Sequence, residues 1–157
     1  MHEDQFAIRC ATPDDAPTIA EHRVRMFQDT GRLDAAGATT MLALLTRMLR
    51  RMLTSGDYVG WLAIVEGGAV VAGAGVHVRP LLPRPETLTE REALVVNVYV
   101  QPGYRRRGIA RRLMLAILEW CGGQGIERVA LHASDMGRPL YESLGFVPST
   151  ELIFYVK

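Results

Sequence analysis

Cysteine is scarce in this chain, and long apolar runs are absent. Only Cys10 and Cys121 occur in 157 residues, too few for a disulfide framework. Both are expected to be reduced core thiols, Cys121 because it falls on the apolar face of a helical pattern. No apolar stretch is long enough to span a bilayer, and Met1-His2-Glu3-Asp4 does not begin a signal peptide. A cytoplasmic protein without a membrane partner is therefore the default expectation. An excess of one charge is lacking too: 18 basic residues face 17 acidic ones, for a net charge of +1. No nucleic-acid partner is expected on that balance. No aromatic platform is interleaved with the arginines, as base stacking would require.

What is present is an ordinary globular mixture. Hydrophobic residues make up 48% and charged residues 22%, which excludes a disordered chain. The length suits one domain, residues 1–157, with a real core.

Periodicity predicts the elements. Phe6 to Cys10 reads as a strand. Thr12-Pro13-Asp14-Asp15 has a helix-start signature, and its helix runs to about Gln28. A second helix spans roughly Thr39 to Leu53, with Met41, Leu42, Leu45, Met48, Leu49 and Met52 on one face. Trp61 to Val65 and Ala69 to Val78 read as strands around a Gly67-Gly68 turn. Glu92 to Val100 is a fourth strand, and a helix follows Gly108. A strand at Arg128 to Ala133, a short helix at Pro139 to Leu144 and a last strand near Leu152 to Val156 complete the chain.

The junction after the fourth strand carries the chemistry. Arg105-Arg106-Arg107-Gly108-Ile109-Ala110 opens a helix whose Ile109, Ala110, Leu113, Met114, Ile117 and Leu118 share one face. The first amides of a helix lack intrahelical partners, and its dipole puts partial positive charge there. Gly108 lets a phosphate approach the backbone, and arginines add forked donors. A strand that runs into such a turn is a phosphate-binding device. A P-loop is excluded, because no Gly-Lys-Ser/Thr ending is present. A dinucleotide fingerprint needs three spaced glycines; only Gly108 and Ala110 fill such positions.

Arg105-x-x-Gly108-x-Ala110 resembles the Arg/Gln-x-x-Gly-x-Gly/Ala motif of the GCN5-related N-acetyltransferases. The stretch Val98 to Arg105 is similar to that family's fourth strand and its exit. Leu131-His132-Ala133-Ser134 is similar to its fifth strand. Arg138 to Phe146, with Tyr141 and Leu144-Gly145-Phe146, is similar to its closing helix. The resemblance implies an α/β (α+β) fold with a mixed, mostly antiparallel sheet and helices on both faces. In that acyl-CoA N-acyltransferase fold the fourth and fifth strands splay apart.

The same resemblance implies acetyl transfer from acetyl-CoA, a cosubstrate, to a primary amine, with no metal. Arg105, Arg106, Arg107, Gly108, Ile109 and Ala110 would hold the pyrophosphate. The backbone of Val98, Tyr99 and Val100 would pair with the pantetheine arm, and Ser134 would also contact the cofactor. The Val98 N–H is the candidate donor to the oxyanion. Tyr141 takes the family's general-acid position; a phenol near pKa ~10 is protonated at neutral pH. Some members place a glutamate on the fourth strand as base, but Leu94 stands at the equivalent position here. Glu92, His132 and a water chain remain open for that role, and Asn97 could orient a water or the amine, though it is too weakly basic to take the proton.

Other readings stand beside these. Glu92 also reads as a solvated strand-end charge, and His132 and His77 as structural strand histidines. Asn97 interrupts an apolar strand, so it either satisfies a bulge or touches ligand. A small-molecule amine acceptor is expected, with a peptide acceptor as the alternative. A non-catalytic acyl-CoA-binding module is a further one. The expected assembly is a monomer or homodimer.

Overall fold

The computed structural model describes residues 5–157. Met1 to Asp4, the start read as no signal peptide, lies outside the described residues. The elements run β1 (Phe6–Cys10), α1 (Ala16–Asp29), α2 (Ala35–Ser55), β2 (Tyr58–Val65), β3 (Val70–Pro80), β4 (Arg91–Val100), α3 (Ile109–Gly123), β5 (Val129–Leu131) and α4 (Arg138–Ser143). The sheet order is β1-β2-β3-β4-β5. The first three pairings are antiparallel, and β4 pairs with β5 in parallel.

Local chemistry sets the helix ends. The Asp15 carboxylate accepts the Thr12 N–H at 2.8 Å and pairs with Arg9. The first turn, Pro13–Asp15, is 3-10, so α1 begins at Ala16. The second helix starts at Ala35, four residues before the expected Thr39. Asp34 is the reason: its side chain accepts the Gly37 N–H at 2.7 Å, a favourable N-cap. Gly56, at φ +85°, ends that helix in the left-handed conformation open to glycine.

Helices cover both sheet faces. One core gathers Trp61, Val71, Val76 and Val95 with Ile109, Leu113, Met114 and Ile117 of α3. The other gathers Ala16, Ile19, Ala20 and Leu49 against Tyr58 and Leu62. Each fully buried aliphatic side chain contributes about 1.5–3 kcal/mol. Among the described residues no helix is long and apolar enough to cross a membrane.

Two expectations are corrected. Leu152 to Val156 forms no strand; its five side chains are between 62% and 96% exposed. Strand propensity alone does not order a segment without a paired neighbour, and β5 spans only three residues of the expected Arg128–Ala133 run. Cys10 is not a core thiol. It ends an edge strand and is exposed, whereas Cys121 is buried; both are free.

Candidate active site

The site begins where β4 and β5 part. Ala93, Leu94 and Val95 pair with Val129, Ala130 and Leu131, and the pairing stops there. The next five residues of β4, Val96 to Val100, run on without a strand on that edge. Their other edge stays paired with β3, but not evenly. Gly75 faces Val96 and Gly73 faces Tyr99, so Ala74 alone opposes both Asn97 and Val98. That is a β-bulge, which takes amides out of the regular ladder and re-aims side chains.

The bulge reverses the alternation of β4. Before it, Ala93 and Val95 face α3; after it, Val98 and Val100 pack on that same core, while Tyr99 stacks on His22 of α1 at 5.0 Å. Asn97 takes the strain at φ +60°, a region asparagine tolerates better than most residues. Its buried amide is fully used. Oδ1 accepts from Arg23 Nη1 at 2.8 Å, and Nδ2 donates to Tyr58 Oη at 3.2 Å. Of the two readings of Asn97, these bonds favour the bulge. Burial pushes the Tyr58 phenol up to about 12, with the Asn97 bond and the Arg23 charge pulling the other way, so it stays unionised.

Beyond the bulge, β4 leads through a 3-10 turn, Pro102–Tyr104, into the arginine turn. Arg106 at φ +65° and Gly108 at φ +77° curl the backbone before α3. No side chain caps α3, and open space surrounds the Cα of Gly108. The first amides of the helix therefore lack a side-chain partner, an arrangement that suits an anion. The Arg105 side chain is partly exposed and already has protein partners. It donates to the Val100 carbonyl at 2.9 Å and to Asp29 at 3.0 Å, tying the end of β4 to α1. Arg107 lies over the Tyr104 ring.

Tyr141 sits on α4, packed against the core that Val98 and Val100 also touch. Its ring meets Phe146 edge-on at 6.0 Å, and the Phe146 N–H bonds the Tyr141 carbonyl, which closes the helix through Gly145. Burial raises its phenol above the ordinary value. Ser134 accepts the Gly137 N–H at 3.1 Å, and a side chain on Gly137 would press on both Ser134 and Tyr141. His132 is exposed and lies 3.7 Å from Glu151.

Glu92 is not a solvated charge. Its side chain is only 6% exposed, because Arg79 on β3 and Arg128 just before β5 close over it. Burial alone would raise its carboxyl, but the hydrogen bonds and charges of Arg79 and Arg128 outweigh burial and lower it. A carboxylate so held is a weak base, and it stands at the start of β4, five residues before Asn97. Leu94 faces His77 across the β3–β4 ladder.

Three residues of this site were missed in the sequence: His22, Arg23 and Tyr58. Their signal was indirect. Gly73 and Gly75 on β3 lack the side chains that would collide with Leu62, His22 and Tyr58. Among the described residues no group of three or more His, Cys, Asp or Glu could hold a metal ion.

Comparison with known proteins places the chain in a family. The sequence model of the acetyltransferase (GNAT) family matches residues 25–146. The chain belongs to that family. A GCN5-related N-acetyltransferase from Ralstonia eutropha JMP134 shares 35% identity and a TM-score of 0.89, over 97% of this chain and 99% of that one. A predicted acetyltransferase from Clostridium acetobutylicum, solved with acetyl-CoA, superposes with a TM-score of 0.86 over 97% of this GNAT chain and 96% of its own, at 24% identity. Among curated relatives, an aminoglycoside N(6')-acetyltransferase type 1 of Salmonella typhimurium is 30% identical over 64 residues, 39% of this chain and 44% of that protein. A glucosamine 6-phosphate N-acetyltransferase of Trypanosoma brucei brucei is 29% identical over 79 residues, 50% of this chain and 52% of that protein. The chain thus matches about half the length of these curated relatives. The family match and these neighbours support an N-acetyltransferase.

Proposed function

We propose that this GNAT protein transfers the acetyl group of acetyl-CoA to the primary amine of a small molecule, by direct attack in a ternary complex. The observation that carries this reading is the course of β4. It runs past β5 with one edge open, bulges at Asn97, and leads into a helix whose first amides no side chain caps. An extended amide-bearing arm fits an open strand edge as an added strand, and a pyrophosphate fits the start of α3.

In the reaction the amine lone pair attacks the thioester carbonyl carbon. A C–N bond forms, the carbonyl oxygen takes up negative charge, and the C–S bond then breaks. The bulged Val98 N–H stabilises that oxyanion. The Tyr141 hydroxyl donates its proton to the leaving thiolate; burial keeps the phenol protonated at neutral pH. Asn97 acts as a positioning residue, since both ends of its amide are spent on Arg23 and Tyr58. The amine loses its proton to water: Glu92 is locked between arginines, Leu94 has no titratable group, and His132 is exposed beside Glu151. Acetyl-CoA is the cosubstrate, and no step calls for a metal.

Calorimetric titration with acetyl-CoA, with CoA as control, tests the reading. Saturable binding at about micromolar concentration, −8 kcal/mol or so, is expected, and Gly108→Glu should abolish it. No heat at millimolar acetyl-CoA would overturn it.

A further inference from the structure

The C-terminal end of α1 carries positive charge that the protein does not neutralise. Arg23 is half-buried, and it gives one N–H to the neutral Asn97 amide. Its guanidinium lies 5.2 Å from the centre of the Phe27 ring. Arg32, exposed on the loop that follows, lies 4.9 Å from the centre of the same ring, and its own N–H bonds the Phe27 carbonyl at 2.9 Å. Two guanidiniums therefore share one aromatic ring.

The three carboxylates closest in sequence are engaged elsewhere. Glu21 pairs with Arg25 and Asp29 with Arg105, while Asp34 caps α2. Among the described residues neither Arg23 nor Arg32 has a carboxylate within ion-pair distance. Burial pulls the Arg23 guanidinium below its ordinary value; Tyr58 opposes this, and the charge of Arg32 adds a smaller push downward. A half-buried cation beside a second cation is costly unless an anion joins them. Asn97 adjoins Val98, so this charge stands next to the amide assigned to the oxyanion.

We propose that Arg23 and Arg32 form an anion subsite for the acceptor, so that the amine acetylated here also carries a carboxylate or a phosphate. This inference rests on the reading of the site as an acetyltransferase centre. A guanidinium fork suits either anion, and contact with the shared Phe27 ring helps to hold each fork. The same charge repels a polycationic acceptor of the aminoglycoside kind.

The acetyl-CoA titration comes first and tests the parent reading by itself; a comparison of amines tests the anion subsite once that titration has succeeded. CoA-loaded protein is titrated with matched amines: 2-aminoethyl phosphate against ethanolamine, and phenylalanine against phenethylamine. CoA release from acetyl-CoA is followed with the same four. The anionic member of at least one pair should bind or turn over about 10- to 100-fold better, the worth of one or two charge-assisted hydrogen bonds. The phosphate and carboxylate pairs distinguish the two anions. Arg32→Gln should remove most of that advantage, through KM rather than kcat, and Arg32→Lys should restore part of it. Arg32 is chosen beside Arg23→Gln because it does not touch Asn97. Equal or better use of the anion-free amines would overturn the proposal. So would an absence of anion preference in both assays, or a preference that Arg32→Gln leaves intact.

Discussion

Tyr58 occupies the space above Gly75. A Cβ on Gly75 would stand 2.8 Å from the Tyr58 Cε1 and would overlap the outer ring and hydroxyl more closely still. The bare backbone of β3 thus lets the phenol reach Asn97, the residue at the bulge of β4. Gly75→Ala is expected to destabilise the fold by about 1–3 kcal/mol, as overpacking does. Denaturant unfolding measures it. A change within a few tenths of a kcal/mol would show that Tyr58 has room to yield.

Tyr141→Phe removes one hydroxyl and leaves the ring against Phe146. Under the proposed mechanism kcat should fall about 10²-fold with the KM for acetyl-CoA little changed. Burial raises the phenol, so the donor persists throughout neutral pH and is lost only above the ordinary phenol value of ~10. A pH–rate profile of the wild type reads that limb.

Glu92→Gln removes a buried charge from between Arg79 and Arg128. The arginines are partly exposed, so the loss should be about 1–3 kcal/mol, the range of hydrogen bonds to charged groups. The folded carboxyl lies below its unfolded value of ~4.3. Its contribution is therefore complete above that value and is lost as pH falls through the folded one. The variant should be less sensitive to acid unfolding. If Glu92 were the general base instead, the substitution would erase the acidic limb of kcat.

His22 is buried, and burial first, then the Arg25 charge, hold it down to about 4 against 6.5 for the free side chain. The unfolded chain takes up this proton first. The neutral imidazole thus stabilises the fold above pH 6.5, and the benefit shrinks as pH falls through 4. The change is of the order of 3 kcal/mol at most. His22→Phe keeps a ring beside Tyr99, and its Tm should vary less between pH 7 and 4 than that of the wild type.

The sequence by itself determined most elements and the strand–turn–helix junction from Arg105 to Ala110. Helical and strand periodicity follow from local sterics, and the turn from Arg105 to Ala110 is a contiguous motif whose amides need only a strand before and a helix after. The tyrosine helix is contiguous too. Tertiary structure decided what depends on residues distant in the chain. Glu92 reads as an exposed strand end until Arg79, 13 residues back, and Arg128, 36 residues on, close over it. Asn97 could be ligand or bulge until Arg23 and Tyr58 arrive 74 and 39 residues away to use both ends of its amide. Leu152 to Val156 has strand propensity, but a strand is made by its neighbour, and none is paired there. The unneutralised charge at Arg23 and Arg32 is of the same kind. Composition counts charges, whereas only the fold shows which carboxylates are already taken.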